Sequence, residues 1–471
     1  MARHFLVSTG TLSAARLISA FSQLLILPVI SRFLTVQEFG LVALAMAVVL
    51  FAQLFSDAGL GRSLIRQPHI DAQEWGAVFW LLFCIGPVLA LAALAAAPAW
   101  AWLHGAPDLF GLVAALSVTP MFLAWAAVPN ARLERDGRFA WLALIRTGAA
   151  LAGMAAAVAL AVSGAGVWAL VVQQVLLAAL QCAGAFALSG FRPGRLRWGT
   201  ELHSHLAFAR NSLGVSLLQT MQRQVPVALI GQQLGTAPLG LFTMSSRLLN
   251  QSVMALAGPM AQVTYVRMAA AQDDRSHIAA LYVSSIRLLA LAIFPPMAVL
   301  AGAGGDLFAF IFSEPWRGAG LLFALAAPGI ALETAVGGTA GVMFQAMNQT
   351  GLRLRMATER TVLRLAAISI ALPFGIEAVS AVITMFALAY LPRYWFYACQ
   401  VVPFSRLAAL RAMAATAAPA ALAWVVMHIL AQQVDGWSLL GVAAALLAVA
   451  WILAAGLQWR SLRAGLAKFG H

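Results

Sequence analysis

Four polar residues, Ser212, Ser216, Gln219 and Arg223, stand at i, i+4, i+7 and i+11 within an apolar stretch. On a helix that spacing is a single face. A guanidinium at bilayer depth costs roughly 2.5–3.5 kcal/mol on insertion scales unless it meets a wet cavity or a partner. Three further segments carry similar stripes. Ser13, Arg16, Ser19 and Gln23 form one, Gln53 with Ser56 and Asp57 a second, and Thr243, Ser246, Arg247, Asn250 and Gln251 a third. Permanent positive charge among hydrogen-bonding groups is the chemistry of anion recognition. The expectation is a cationic, water-accessible interior among membrane helices, the anatomy of a transporter for something anionic.

Composition agrees about where those helices lie. The 471 residues are 62% hydrophobic and 10% charged, a balance that belongs in a bilayer rather than in a soluble domain. A net charge of +13 could attract nucleic acid, but the arginines fall in short loops between apolar runs. That is the positive-inside pattern, so no nucleic-acid partner is expected. Cys84, Cys182 and Cys399 all fall in apolar segments, with no Cys or His at ligand spacing, so neither disulfides nor a zinc site is expected. The first apolar stretch lacks a small-residue cleavage site followed by a soluble domain, and is expected to act as an uncleaved anchor.

Windows of about 20 apolar residues place spans near 10–33, 40–56, 76–97, 109–129, 141–162, 166–189, 208–233, 240–263, 282–303, 319–344, 360–374, 378–399, 412–431 and 438–457. The fold class expected is an all-α integral membrane protein of about fourteen transmembrane helices. One set of loops receives Arg62, Arg66, Arg132, Arg135, Arg138, Arg192, Arg195, Arg197, Arg267, Arg275, Arg353 and Arg355, while the opposite set receives only Arg32 and Arg317. This asymmetry puts both termini in the cytoplasm.

The chain also resembles itself at an offset of about 200 residues. Leu34-Thr-Val-Gln-Glu-Phe-Gly-Leu41 reads like Leu234-Gly-Thr-Ala-Pro-Leu-Gly-Leu241, each between two spans. Pro28 and Pro226 precede them, and Gly137 with Gly351, then Gly164 with Gly375, follow in the same order. Gly-rich turns recur between membrane helices, but the common order favours duplication. An even number of helices between copies makes the repeats parallel. The organisation expected is a six-helix lobe over 1–190, a basic cytoplasmic linker over 191–207, and a second six-helix lobe over 208–400. Residues 401–471 add two helices and a basic tail.

Arg32-Phe-Leu, Phe39-Gly-Leu-Val-Ala-Leu-Ala45 and Phe55-Ser-Asp-Ala-Gly-Leu-Gly61 resemble the first hairpin of bacterial polysaccharide flippases. Those are the O-antigen and exopolysaccharide exporters of the MOP (multidrug/oligosaccharidyl-lipid/polysaccharide) superfamily. Leu133-Glu-Arg135, Arg138-Phe139 and Gly166-Val-Trp-Ala-Leu170 resemble loop signatures of the same family. The resemblance implies two lobes in a V-shaped bundle and alternating access. It implies movement of an undecaprenyl-pyrophosphate-linked oligosaccharide to the outer leaflet of the inner membrane, among membrane lipids. Polymerase and chain-length-control proteins would be pathway partners, with no cofactor. One departure stands out. Relatives often place an acid in the seventh span, where this chain has Gln222-Arg223-Gln224, so a coupling role for that acid does not carry over.

With that substrate, Arg16, Arg223 and Arg247 are expected to hold the diphosphate, because a planar guanidinium binds oxygens in pairs. Gln23, Gln53, Gln219 and Asn250 would hydrogen-bond sugar hydroxyls. Arg16 and Arg247 lie close enough to helix ends to snorkel instead. Glu333, mid-span, is either a proton- or cation-coupling site or a counter-ion for an arginine. Its place outside the duplicated hairpins favours the ion pair. Asp57, followed by Gly59 and Gly61, reads as a turn or cytoplasmic gate residue pairing with Arg62 or Arg66.

No catalytic constellation is present in the sequence. His203 and His205 sit in the Arg-rich linker, near only Glu201. A multidrug exporter of the same superfamily would favour intramembrane carboxylates over arginines. A glycan polymerase or ligase would need a sizeable outer loop with catalytic groups, yet the longest, around 306–318, offers only Asp306 and Glu314.

Overall fold

The computed structural model describes residues 27–66, 71–194, 202–434 and 436–470. A helical turn at 27–30 opens it. There follow α1 (Val36–Asp57), α2 (Leu60–Arg66), α3 (Ala72–Leu103), α4 (Asp108–Leu116), α5 (Thr119–Arg135), α6 (Phe139–Val162), α7 (Trp168–Ser189) and α8 (Leu202–Gln233). Next come α9 (Thr236–Ala270), α10 (Arg275–Phe312) and α11 (Arg317–Leu332), then a π-helical turn at Glu333–Gly338 and α12 (Thr339–Ala346). Last are α13 (Thr350–Ala371), α14 (Ile376–Val401), α15 (Arg406–Ala431) and α16 (Trp437–Gly470). Among the described residues there is no strand. The chain is an all-α multi-pass membrane protein.

Local chemistry explains the helix starts. Thr35 and Glu38 form a capping box at the head of α1, with Thr35 N–H donating to Glu38 Oε2 at 2.7 Å and Glu38 N–H donating to Thr35 Oγ1 at 3.3 Å. Asp274 caps α10 by accepting from Ser276 N–H at 2.9 Å and His277 N–H at 3.0 Å. The His277 bond, then that of the Ser276 hydroxyl, holds the Asp274 carboxyl below its ordinary value. Trp102, Phe374 and Trp437 are exposed at helix ends, as aromatic side chains at a membrane–water boundary should be.

Two expected spans differ in form. The stretch expected at 109–129 is two consecutive helices, α4 and α5. The span expected at 360–374 is the end of α13, which begins at Thr350. The charges at 353–364 made that first half look like a loop. They lie on a helix because several of them are neutralised by neighbouring helices.

Ten stretches are long and apolar enough to cross a membrane by length and composition. The helices α8, α9 and α13 have 32, 35 and 22 residues, long enough to cross, but fall outside that apolar set. They carry the polar and charged stripes.

The chain divides into two compact units, Met1–Gly240 and Leu241–His471. In the first, α1 packs on α3, α4, α5 and α8, α5 packs on α3 and α7, and α6 packs on α7. In the second, α10 is central and packs on α11, α15 and α16, while α14 covers α11 and α13.

Candidate functional site

In the first unit, α8 presents Gln219 and Arg223 as exposed residues and Ser216 as half-buried. No carboxylate lies within ion-pair distance of Arg223 among the described residues. Arg16 and Gln23 lie outside the described residues, as does the side chain of Ser212.

The polar line of α1 is engaged locally. Gln53 Nε2 donates to Thr119 Oγ1 at 3.3 Å, and Ser56 Oγ donates to the Pro120 carbonyl at 2.9 Å. Both bonds tie α1 to the head of α5. Asp57 Oδ1 accepts from Gly61 N–H at 2.7 Å, closing a turn in which Ala58 and Gly59 have φ of 51° and 84°. A Cβ at Gly61 would come 3.0 Å from that carboxylate oxygen. Arg62 is exposed, and no ion pair joins it to Asp57 among the described residues. The side chain of Arg66 lies outside the described residues. Asp57 is thus placed as the cap of a turn rather than as the arginine partner anticipated for it.

The repeated motifs meet in a reciprocal contact. A Cβ at Gly40 would lie 1.9 Å from the Thr236 carbonyl oxygen, and one at Gly240 would lie 2.0 Å from that of Val36. Each glycine therefore admits the first turn of the other motif's helix at backbone contact, as close helix crossings require of small residues. The two contacts are related by the 200-residue offset read in the sequence.

In the second unit, Arg247 is half-buried on α9, and Asn250 is exposed with its Nδ2 donating to the Ser246 carbonyl at 2.7 Å. One turn before Arg247, the Thr243 hydroxyl is enclosed without a hydrogen-bond partner among the described residues.

Glu333 opens the π-helical turn, a deviation frequent at functional positions. Its two oxygens bind Arg360 at 2.9 Å and Arg364 at 2.8 Å. The three side chains are 13%, 19% and 16% exposed. One turn upstream, Gly329 N–H donates to Thr384 Oγ1 at 3.0 Å, and that hydroxyl donates to the Leu325 carbonyl at 2.5 Å. The Thr384 side chain therefore sits inside the i→i−4 ladder beside Pro328, a recognised cause of helix bending. On another face of α13, Glu359 accepts from Arg393 Nε at 2.6 Å and Nη2 at 3.0 Å, and from the Tyr397 hydroxyl. Arg393 also lies over the rings of Phe396 and Tyr397.

Sequence reasoning identified Glu333 but not its partners, although Arg360 and Arg364 at i, i+4 were a readable sign of a shared helix face. It also missed His205. Read as a linker residue, it is buried beside Ser63 and Glu74. The outer carboxylates Asp306 and Glu314 are both held by Arg317.

Known proteins place this arrangement. The family described as polysaccharide biosynthesis protein matches residues 29–320. The succinoglycan biosynthesis transport protein ExoT of Rhizobium meliloti is 26% identical over 292 residues, covering 61% of this chain and 58% of that protein. The lipopolysaccharide biosynthesis protein WzxC of Escherichia coli is 21% identical over 295 residues, covering 61% and 59%. The match thus spans about three-fifths of these relatives' length. Among solved structures, the lipid II flippase MurJ in an inward closed conformation shares the fold with a TM-score of 0.74, over 97% of this chain and 99% of that one, at 12% identity. An inward-facing multidrug resistance MATE family transporter of the MOP superfamily gives 0.55 over 83% and 95%, at 17% identity. With most of its length matched, the chain belongs to the polysaccharide biosynthesis protein family.

Proposed function

We propose that this protein flips an isoprenyl-pyrophosphate-linked oligosaccharide from the cytoplasmic to the outer leaflet of a bacterial inner membrane, by alternating access, for cell-surface polysaccharide or exopolysaccharide synthesis. The observation that carries this reading is Arg223: exposed, on a polar face of a helix of crossing length, and without a carboxylate partner among the described residues. The lipid tail stays in the bilayer while the headgroup crosses inside. Arg223, with Arg16 and Arg247, replaces the water that a diphosphate gives up, since a guanidinium binds phosphate oxygens in pairs. Gln219, Gln23, Gln53 and Asn250 meet sugar hydroxyls. The names of the relatives, a succinoglycan transport protein and a lipid II flippase, support the substrate class.

Two parallel six-helix repeats, with both termini cytoplasmic, would supply the alternating motion. The reciprocal Gly40 and Gly240 contacts support a duplicated origin for the two hairpins. Glu333 serves in this reading as a structural counter-ion, because two arginines already share it. That also weighs against export of cationic drugs, which would want a carboxylate still able to bind a cation. The outer-loop acids Asp306 and Glu314 share Arg317, which leaves them poorly suited to glycan-polymerase chemistry.

The test is translocation itself. Purified protein in liposomes carrying fluorescent undecaprenyl-pyrophosphate oligosaccharide is challenged with an impermeant quencher. Protein-dependent exposure of the second leaflet's fluorophore supports the reading, and a folded protein that moves none across several glycans overturns it.

A further inference from the structure

The helix that carries Arg223 is tied to α3 at both ends, each time through a histidine. At one end, His205 of α8 is 1% exposed. Its Nδ1 lies 2.7 Å from Ser63 Oγ and its Nε2 lies 3.3 Å from Glu74 Oε2 in the first turn of α3. At the other end, His104 follows the last residue of α3, with Nδ1 2.9 Å from the Trp100 carbonyl and Nε2 3.3 Å from the Ala228 carbonyl of α8. The two helices run parallel. One tie lies toward the arginine-rich loops and the other toward the arginine-poor loops.

Counting protons is decisive at both ends. A carbonyl oxygen only accepts, so His104 makes both of its bonds only when both ring nitrogens carry hydrogen, which is the imidazolium. At the other end the Ser63 hydroxyl donates to the Leu60 carbonyl at 2.6 Å. Its oxygen therefore accepts from His205 Nδ1–H, while the Glu74 carboxylate accepts from Nε2–H. That again needs two donors. A neutral ring keeps one N–H, so His104 loses one bond. His205 loses its ion pair with Glu74, and Ser63 must turn from Leu60 toward the ring to keep contact.

The surroundings leave these two rings in control of the ties. Around His205, the acid facing it is Glu74 on α3, with Ser63 from α2. On α5, Arg135 donates to the Leu64 carbonyl at 2.6 Å and Arg132 lies over the Trp75 ring. Leu64, Trp75, Phe79 and Ala209 form the apolar core beside it. Around His104, the Trp100 ring is 4.4 Å away and its Nε1 donates to the Leu44 carbonyl of α1. The nearest acid in the chain, Asp108 at the head of α4, is exposed.

We propose that His104 and His205 are proton-operated clasps, one at each membrane face, that hold α8 to α3 while protonated and release the Arg223 helix first at the less acidic face. Histidine suits the task because it is the side chain whose ordinary titration falls between about pH 5 and 8. The clasps are positioning residues. They act through the placement of α8, and the proposal does not depend on the identity of the substrate.

The experiment uses the full chain in nanodiscs, where both faces meet one pH, with Cys84, Cys182 and Cys399 replaced by alanine. Spin labels at Gln73→Cys with Leu206→Cys report the Glu74 end, and labels at Trp102→Cys with Gln232→Cys report the Ala228 end. Pulsed-EPR distances are taken between about pH 5.5 and about pH 8.5. Both distributions are expected to be narrow in acid and to lengthen and broaden as pH rises. His205→Gln should abolish the pH response of the first pair alone, and His104→Gln that of the second alone. Glu74→Gln, which keeps the hydrogen-bonding shape, should move the first transition toward acid by about one pH unit. Distances unchanged with pH in the parent protein, or pH responses that survive in both histidine variants, would overturn the proposal.

Discussion

The helices α8 and α13 both carry arginine well inside a membrane-length segment, and they treat it in opposite ways. On α13, Arg360 and Arg364 share Glu333 from the π-helical turn, and the neighbouring Glu359 grips Arg393 from α14. On α8, Arg223 is exposed among glutamines, with no carboxylate in reach among the described residues. A guanidinium whose charge is already met by protein holds structure together and has little left for a ligand. One without a counter-ion is costly in a bilayer unless water or an anionic ligand meets it. The difference separates charge that shapes the fold from charge that reads the cargo.

The sharpest way to break that comparison is at Glu333. Glu333→Gln leaves two half-buried arginines facing each other without compensation, and removing one member of a buried ion pair typically costs about 3–5 kcal/mol. A large fall in Tm in detergent is expected. The triple variant Glu333→Leu, Arg360→Leu, Arg364→Leu should recover most of it, since apolar replacement of a whole buried network is often near neutral. A Tm for Glu333→Gln equal to the parent's would mean that the network contributes little.

Arg223→Ala should do the reverse, lowering flipping at least about tenfold, or roughly 1.4 kcal/mol, while stability stays within about 0.5 kcal/mol. Next in size is Thr384→Val, which leaves Gly329 N–H and the Leu325 carbonyl without their bridging hydroxyl. A loss of about 1–2 kcal/mol is expected in denaturant unfolding, and an unchanged midpoint would show that the ladder re-forms directly. The smallest effect belongs to Glu314→Gln at the exposed Arg317 cluster, where no measurable change in Tm is expected because Asp306 still pairs with Arg317.

Much of the architecture is legible from residues alone because the bilayer imposes it. Apolar windows of about 20 residues mark out helices from α1 onward, and the 200-residue echo between Gly40 and Gly240 anticipates two glycines in backbone contact with each other's helix. What is hidden is tertiary. His205 finds Ser63 142 residues away and Glu74 131 residues away, and no local spacing announces either. The charges between Arg353 and Arg364 imitate a loop because a sequence window cannot see Glu333 and Arg393 neutralising them. Asp57 looks like a partner for Arg62, yet the backbone N–H of Gly61 is nearer, and a backbone donor leaves no trace in composition. Among the stripe residues, Gln53 and Ser56 turn out to fasten α1 to α5, a reminder that small polar residues often glue membrane helices together.

The most direct measurement follows flipping and Tm in the same proteoliposome preparations for the parent protein, Arg223→Ala and Glu333→Gln. The account predicts that Arg223→Ala keeps its Tm and loses translocation of the pyrophosphate-linked oligosaccharide, while Glu333→Gln loses Tm and flips normally per folded molecule. Normal flipping by Arg223→Ala at parental Tm would contradict it.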